Sequence, residues 1–340
     1  MKMRVGLVGL GHAWESRHCP ALRALSDRFQ IVAVCSEVAR RSDSVAQEFN
    51  AVSVDGFRVM IEREDIDAVL VLSTDWVGPI PILAACDAGK AVYAAAPLDI
   101  EAGLVEEIRR RVDQSGIAFM AELPRRHAPA TLRLKELIAT RLGPPRLLFC
   151  HERQTCEDRV VAGRRGSTRQ VALRNLMELV DWCRYVVGHD PTSVIAARNQ
   201  SLVGNTSSFY ESVSLDFSRP GEPAEEGPIA QLSIGHYLPA KWREALPFRR
   251  PASLQVCCEK GIAFLDLPST LIWFDDAGQH SESLEQERPV GEQLLMQFHR
   301  AVTSLIRKTC DIEDAYKALR IVMAADESIT DQRRIKLSFD

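Results

Sequence analysis

A short apolar run that ends in a glycine turn constrains the fold of this 340-residue chain more than any other feature. Residues 4–10 form the apolar run, Gly11 ends it, and a helical pattern follows over residues 13–27. A continuous run of this kind is typical of a parallel strand that is buried on both faces. Strand and helix patterns then alternate through residue 122, which predicts a doubly wound parallel sheet.

The remaining elements of this first domain, assigned to residues 1–122, follow at short intervals. Further strands are predicted at 31–35, 68–72, 91–94 and 117–120, and further helices at 38–49, 79–88 and 101–115.

The pattern changes in the second domain, assigned to residues 123–340. Many of its strands alternate apolar with polar residues, which predicts an α+β domain with an open, mostly antiparallel sheet covered on one face. We expect this domain to bind substrate or to form oligomers, with its last helices packing back towards the first domain. Strands are predicted at 147–153, 192–198, 207–217, 229–235, 252–258 and 262–267, helices at 129–140, 173–187, 292–307 and 312–330, and an exposed hairpin loop at 218–228.

Composition narrows the functional classes. A net charge of −4 does not favour a nucleic-acid partner. Nine cysteines without a Cys-x-x-Cys pair predict reduced thiols and no metal site. No signal-peptide pattern or membrane-spanning apolar run is visible, so we expect a cytoplasmic protein that does not bind membranes.

The glycine turn predicts a dinucleotide site. Gly9 permits the tight turn, and Gly11 lets the backbone approach a pyrophosphate at the start of the helix, beside His12 and Ala13. The third glycine of the Gly-x-Gly-x-x-Gly pattern is replaced by Trp14. We expect Trp14 either to push the helix away from the strand or to project into the phosphate site.

The end of the second strand bears on the choice of cofactor. Glu37 can accept hydrogen bonds from both hydroxyls of the adenosine ribose, which favours NAD. Ser36 together with Arg40 can hold a 2′-phosphate, which favours NADP. A third interpretation is that Ser36 caps a helix and that the charges are exposed to solvent. We slightly favour NAD.

The order and spacing of several segments resemble the glucose–fructose oxidoreductase/inositol dehydrogenase (Gfo/Idh/MocA) family. Residues 65–69 read Asp-Ile-Asp-Ala-Val, where the family has Asp-Val-Asp-Ala-Val. The other similar segments are 84–92, 125–129, 181–188 and 314–325. The resemblance implies a nicotinamide-dependent oxidoreductase that acts on a sugar-like or other small polar substrate. It also implies association into a homodimer or homotetramer, and a cofactor contacted by Ser73, Thr74, Asp75 and Ala96.

The chain departs from the family at the places that carry its chemistry. Ala96 stands where the family has a lysine, and Arg174 and Glu178 stand where it has an Asp-x-x-x-His pair. Asp75 is the candidate for a family asparagine, and Gly78 or Pro79 falls where a histidine is expected. Alcohol oxidation needs a group that takes the hydroxyl proton; alanine cannot do this, and arginine stays protonated.

Several roles therefore stay open for the remaining polar residues. Glu178 is either the catalytic base or the partner of Arg174 in a structural ion pair. Arg174 is also a candidate for binding a carboxylate or phosphate of the substrate, together with His151 and Arg153 on the first strand of the second domain. The alternatives for the chain are an oxidoreductase with a changed site, a non-catalytic nucleotide- or sugar-binding relative, or a lyase or hydrolase that uses the cofactor transiently.

Overall fold

The chain divides into two structural units. The computed structural model describes residues 2–74, 76–95, 102–155, 167–203, 206–219, 221, 227–304 and 312–339. The first unit comprises Met1–Pro124 and Arg288–Tyr316, and the second comprises Arg125–Glu287 and Lys317–Asp340. Segment Arg288–Tyr316 thus belongs to the first unit although it lies between the two segments of the second unit along the chain.

The first unit contains a six-stranded parallel sheet. Its strands are β1 (Met3–Val8), β2 (Phe29–Cys35), β3 (Val52–Ser53), β4 (Ala68–Val71), β5 (Ala91–Ala94) and β6 (Phe119–Ala121). They lie in the order β3-β2-β1-β4-β5-β6. The chain leaves β1 towards β2 and later returns to the other side of β1, so the topological switch point lies between β1 and β4. The predicted doubly wound sheet is confirmed.

Five α-helices connect these strands within the described part of the first unit. They are α1 (Cys19–Ala24), α2 (Ala39–Phe49), α3 (Phe57–Ile61), α4 (Ile80–Asp87) and α5 (Ala102–Ser115). The first predicted helix differs from the structure, because a π-helical turn over Trp14–His18 precedes the α-helix. In this turn the Cys19 N–H donates to the Trp14 carbonyl, five residues back, which makes the turn wider than an α-helical one.

The second unit contains a nine-stranded sheet. Its strands are β7 (Pro145–Thr155), β8 (Ser193–Val203), β9 (Thr206–Asp216), β10 (Ile229–Leu238), β11 (Leu254–Cys258), β12 (Gly261–Asp266), β13 (Thr270–Asp275), β14 (Gly278–Ser283) and β15 (Ile335–Lys336). Their order is β14-β13-β12-β11-β7-β10-β9-β8-β15, and only β7 and β10 pair in parallel. This confirms the predicted, mostly antiparallel sheet. β9 and β10 pair antiparallel. Residues 220 and 222–226 of the predicted hairpin loop lie outside the described residues.

Helices cover one face of this sheet. They are α6 (Pro129–Leu137), α7 (Ser167–Val187) and α9 (Ile312–Asp331), whereas α8 (Val290–Thr303) lies in the first unit. Leu148 and Cys150 of β7 are buried in one core with Leu179 and Trp182 of α7. Helix α9 contributes Ala318, Ile321 and Val322 to the same core. The periodic apolar residues of α7 therefore explain which face of the sheet is covered. No helix within the described ranges combines the length and hydropathy needed to cross a membrane.

A buried carboxylate fastens the π-helical turn of the first unit to the sheet. Glu122 follows β6; its Oε2 atom lies 2.7 Å from His18 Nε2 and accepts a hydrogen bond from the Tyr93 hydroxyl at 2.8 Å. Its Oε1 atom accepts from the Arg17 guanidinium. Burial opposes ionisation, but the charges of His18 and Arg17 and the hydrogen bonds from His18 and Tyr93 lower the pKa of Glu122 from 4.5 to about 2.

Replacing this carboxylate should destabilise the first unit. We expect Glu122→Gln to reduce the free energy of unfolding at neutral pH by about 3 kcal/mol, because the Arg17 guanidinium loses its buried charged partner and the side chains of His18 and Tyr93 lose a carboxylate partner. The pKa of Glu122 is depressed in the folded state, so its contribution is present above pH 4.5 and is lost as the pH falls towards 2. The free energy of unfolding, measured with urea between pH 7 and pH 3, should therefore change less with pH in the variant than in the wild type. Asp27→Asn, at an exposed carboxylate, is the control; equal effects of the two changes would contradict this role.

Candidate functional site

A cavity of about 270 Å³ lies at the carboxyl ends of β1, β2 and β4 in the first unit. Open doubly wound sheets bind ligands at this edge, next to the switch point. The cavity is lined by Gly9, Leu10, Gly11, His12, Glu15, Ser36, Glu37, Val38, Arg41, Ser73 and Trp76.

The glycine turn rests directly against the end of β4. Gly9 has a φ of +75°, and a Cβ atom built on it would lie 2.9 Å from the Ser73 carbonyl oxygen. A Cβ atom on Gly11 would lie 2.3 Å from the Leu72 carbonyl oxygen. Because no real side chain tolerates these distances, only glycine fits at either position. The turn also joins β2, since the Gly9 N–H donates to the Cys35 carbonyl at 2.8 Å.

A single added methyl group should disrupt this turn. We expect Gly11→Ala to separate the turn from β4 and to lower the free energy of unfolding by about 1–3 kcal/mol, because the clash is with backbone. Gly56→Ala is the matched control, since its φ is −142° and a Cβ atom there would meet nothing within 4 Å. Urea unfolding of both variants measures the difference. Equal stability of the two would show that the turn is not held against β4.

Trp14, at the position of the missing third glycine, does not enter the cavity. Its side chain is 2% exposed, and its ring packs edge-on against Phe49 with 6.3 Å between centroids. The expectation that Trp14 projects into the phosphate site is therefore wrong. The wide π-helical turn that begins at Trp14 shows how the chain accommodates the large side chain there.

The cavity wall carries charges of both signs. Glu15, in the π-helical turn, and Glu37, after β2, contribute carboxylates. Arg41, in the first turns of α2, contributes a guanidinium, and His12 contributes an imidazole. Glu15 lines the same cavity as Gly11 and His12, whose backbone amides would receive an anion, so the Glu15 charge weakens anion binding there.

Neutralising Glu15 should therefore strengthen anion binding. We expect Glu15→Gln to tighten the binding of ADP and of NADH about two- to five-fold, which corresponds to ~0.5–1 kcal/mol for an exposed charge pair. Titration calorimetry at low and high salt measures this, and the gain should shrink with salt. Glu62→Gln, at an exposed carboxylate outside the cavity wall, is the control. Weaker binding by the Glu15 variant would contradict the assignment of an anion site.

The cavity brings together six of the residues assigned to the cofactor from the sequence: Gly9, Gly11, His12, Ser36, Glu37 and Ser73. Ala13 and Thr74 are buried and do not line it. Arg40 is exposed and points elsewhere, because one residue turns a helix by about 100° and Arg41 takes the wall position. Asp75 and Ala96 lie outside the described residues.

Ser36 is engaged in a local turn. Its Oγ atom donates to the Val38 carbonyl at 3.0 Å and lies 2.7 Å from Ser42 Oγ. The interpretation of Ser36 as the helix cap is wrong, because the N-cap residue of α2 is Val38, no side chain caps this helix, and the Ser36 hydroxyl donates to a carbonyl instead of accepting from a helical N–H. These contacts also do not bring Ser36 together with Arg40 as a pair for a 2′-phosphate.

Five wall residues were not among the sequence candidates: Leu10, Glu15, Val38, Arg41 and Trp76. Trp76 had one visible signal, since it is a large aromatic residue in the loop that follows a buried strand. Glu15 had none, because an acidic residue in the first turn of a helix is usual on electrostatic grounds.

In the second unit, Glu178 belongs to a cluster of polar side chains. Its Oε2 atom accepts from Arg125 Nε at 3.3 Å, and Arg125 also donates to Glu152 at 2.7 Å. Glu152 accepts two further bonds, from Gln154 at 2.7 Å and from Asn175 at 2.9 Å. The three charged side chains are 18–26% exposed, so solvent-sized groups reach them. Such a set of donors and acceptors can bind hydroxyl groups.

His151 and Arg153 do not join this cluster. Side chains alternate along a strand, and Cys150 and Glu152 of β7 point towards α7. His151 and Arg153 therefore lie on the opposite face, where His151 Nδ1 is 2.7 Å from Ser233 Oγ and Arg153 donates to the Phe248 carbonyl at 2.6 Å. Burial lowers the pKa of His151.

The sequence assignment placed these two residues with Arg174, but the structure does not bring them together with the α7 candidates. Arg174 and Glu178 are both on α7. Among the described residues, no three His, Cys, Asp or Glu side chains form a group that could hold a metal ion.

The parallel sheet, its switch-point cavity and the glycine turn define a Rossmann-type nucleotide-binding class. A family described as "Oxidoreductase family, NAD-binding Rossmann fold" (GFO_IDH_MocA) matches residues 3–122. Residues 3–122 therefore form the Rossmann domain of the Gfo/Idh/MocA family.

Individual relatives extend the comparison. Inositol 2-dehydrogenase 3 of Saccharopolyspora erythraea is 33% identical over 162 residues, which cover 45% of this chain and 46% of the relative. A dTDP-3,4-didehydro-2,6-dideoxy-α-D-glucose 3-reductase of Actinomadura kijaniata is 26% identical over 40% of this chain and 41% of the relative. The chain thus matches less than half the length of these curated relatives. The aldose-aldose oxidoreductase of Caulobacter crescentus has the same fold, with a TM-score of 0.81 at 17% identity over 99% of this chain and 100% of that one.

Proposed function

We propose that this chain is an NAD-binding oxidoreductase that acts on a sugar-like or polyol substrate. The observation that carries the proposal is the switch-point cavity, whose wall combines the Gly9–Gly11 turn with Glu37. The sugar-like substrate is supported by the names of the relatives, an inositol dehydrogenase and a nucleotide-sugar reductase.

The wall residues fit the parts of a dinucleotide. The backbone amides of Gly11 and His12 would hold the diphosphate, and the Glu37 carboxylate would accept bonds from the adenosine ribose hydroxyls. The nicotinamide ring of the bound cofactor would supply the hydride acceptor or donor. A carboxylate at position 37 repels a 2′-phosphate, so the proposal is NAD rather than NADP, although Arg41 offers a positive charge in the same wall.

For the substrate, we propose the cluster of Arg125, Glu152 and Glu178. Its carboxylates accept hydrogen bonds from hydroxyl groups, and the Arg125 guanidinium donates to hydroxyl or carbonyl oxygen. Asn175 adds an amide that bonds Glu152 and fixes its orientation. The cluster suits a polyhydroxylated molecule better than an apolar one.

A second candidate function is a non-catalytic sugar-binding relative. It is favoured by Ala96, which cannot transfer a proton, and by Glu178, whose carboxylate is engaged by Arg125. Incubation with NAD and a panel of polyols and aldoses separates the two functions. An oxidoreductase reduces NAD with at least one of these substrates, whereas a non-catalytic relative binds NADH but turns over none of them. A lower kcat in Glu178→Gln with unchanged KM and retained NADH binding would assign the proton-accepting role to Glu178, whereas a raised KM with unchanged kcat would assign it to substrate binding alone.

We also propose a homodimer or homotetramer that forms through the outer face of the nine-stranded sheet. The pairing register places Leu147, Ile195, Ile229 and Phe274 on that face. Each of these apolar side chains is 39–43% exposed. Apolar exposure of this kind is typical of a surface that another subunit covers.

The nucleotide preference gives a direct test of the cavity. We expect NADH to bind at micromolar level and NADPH at least about tenfold more weakly, because the Glu37 carboxylate opposes the 2′-phosphate. Glu37→Gln should narrow this preference mainly by strengthening NADPH binding. Cofactor fluorescence and thermal shift measure both ligands, and Asp27→Asn controls for a change in net charge. Binding of neither nucleotide to the wild-type chain would overturn the proposed function.

A further inference from the structure

We infer that the indole N–H of Trp76 donates a hydrogen bond to an oxygen of the bound diphosphate. The inference rests on the proposed function, since it assigns a further binding residue to the same cavity. Trp76 lies in the segment that follows β4 and lines the cavity together with the glycine turn.

The indole N–H of Trp76 is a hydrogen-bond donor without an acceptor among the described residues. Trp76 lines the cavity, and its Nε1 atom is buried. An indole nitrogen is only a donor, and a buried donor without an acceptor is unfavourable. Elsewhere in the chain, the buried indole of Trp182 does donate, to Thr131 Oγ1 at 3.0 Å. An acceptor atom of a ligand in the cavity would satisfy Trp76 in the same way.

Trp76 also lies in the cavity wall that faces a nucleotide diphosphate in our proposal. Ser73, three residues before Trp76, lies against the glycine turn: a Cβ atom on Gly9 would be 2.9 Å from both Ser73 Cβ and the Ser73 carbonyl oxygen. The segment after β4 and the turn are therefore adjacent walls of one cavity. The backbone amides of the glycine turn favour an anion. A diphosphate bound by these amides also lies next to the segment after β4, so one of its oxygens is the acceptor that we assign to Trp76.

Trp273 shows why burial alone does not make this argument. Its Nε1 atom is also buried without an acceptor among the described residues, and its ring stacks on His280 with 4.8 Å between centroids. Trp273, however, belongs to the hydrophobic core of the second unit and does not line the cavity. Among the residues that the structure describes, Trp76 alone combines a buried donor without an acceptor with a place in the cavity wall.

Nuclear magnetic resonance of the indole N–H groups tests the bond itself. The chain has five tryptophans, and the signal missing in Trp76→Phe identifies Trp76. We expect ADP to move this signal downfield, as hydrogen bonding does, and to leave the Trp273 signal in place. An unmoved Trp76 signal under saturating ADP would overturn the inference.

Binding measurements test where on the nucleotide the bond falls. We expect Trp76→Phe, which keeps an aromatic ring and removes the donor, to weaken NADH and ADP about tenfold and adenosine not at all. Trp242→Phe, at an indole that is 52% exposed in the second unit, is the matched control and should change nothing. An equal loss with adenosine would overturn the diphosphate assignment, and so would an absence of loss with ADP.

Two further readouts separate the possible failures. The ligand-free Trp76→Phe variant should unfold at the same temperature as the wild type or higher, because it removes an unsatisfied buried donor. A lower unfolding temperature together with unchanged ADP binding would mean that Trp76 is structural. If the wild-type chain binds neither ADP nor NADH, the proposed function fails as well; if it binds both and Trp76→Phe does too, only this inference fails.

Discussion

The close contact between the glycine turn and the end of β4 is the constraint on which the rest of the site depends. The backbone at Gly9 and Gly11 lies so close to Leu72 and Ser73 that neither glycine position has room for a side chain. This contact holds the turn that follows β1 against the end of β4, the strand on the other side of the switch point. The cavity, the exposed amides of the turn and the placement of Trp76 all follow from it.

The loss of the third glycine is accommodated by local structure. Trp14 is buried against Phe49, and the turn that it opens is π-helical. The next residues of that turn, Arg17 and His18, bind the buried Glu122 carboxylate after β6. The contacts with Glu122 thus hold the π-helical turn against the sheet, and the glycine turn before it stays packed against the end of β4. A bulky residue at position 14 is therefore compatible with a nucleotide cavity in this chain.

The sequence predicted what depends on local pattern and missed what depends on tertiary placement. Apolar runs and the glycine turn identified β1, β2, β4 and β5 and the edge where the cavity lies. The polar edge strand β14 carries no apolar alternation, so it was not found. The choice between Arg40 and Arg41 depends on one helical step, and the pair of Arg125 with Glu178 joins residues 53 positions apart. His151 and Arg153 were assigned to the wrong group because strand alternation was not applied to them.

The central claim is that the switch-point cavity holds a nicotinamide dinucleotide by its diphosphate and adenosine ribose. A crystal structure of the chain grown with NADH tests it most directly. The account predicts density for the diphosphate between the Gly9–His12 turn and Trp76, with the adenosine ribose hydroxyls on Glu37. A structure at saturating NADH in which this cavity stays without nucleotide density, or in which the nucleotide binds elsewhere, would contradict it.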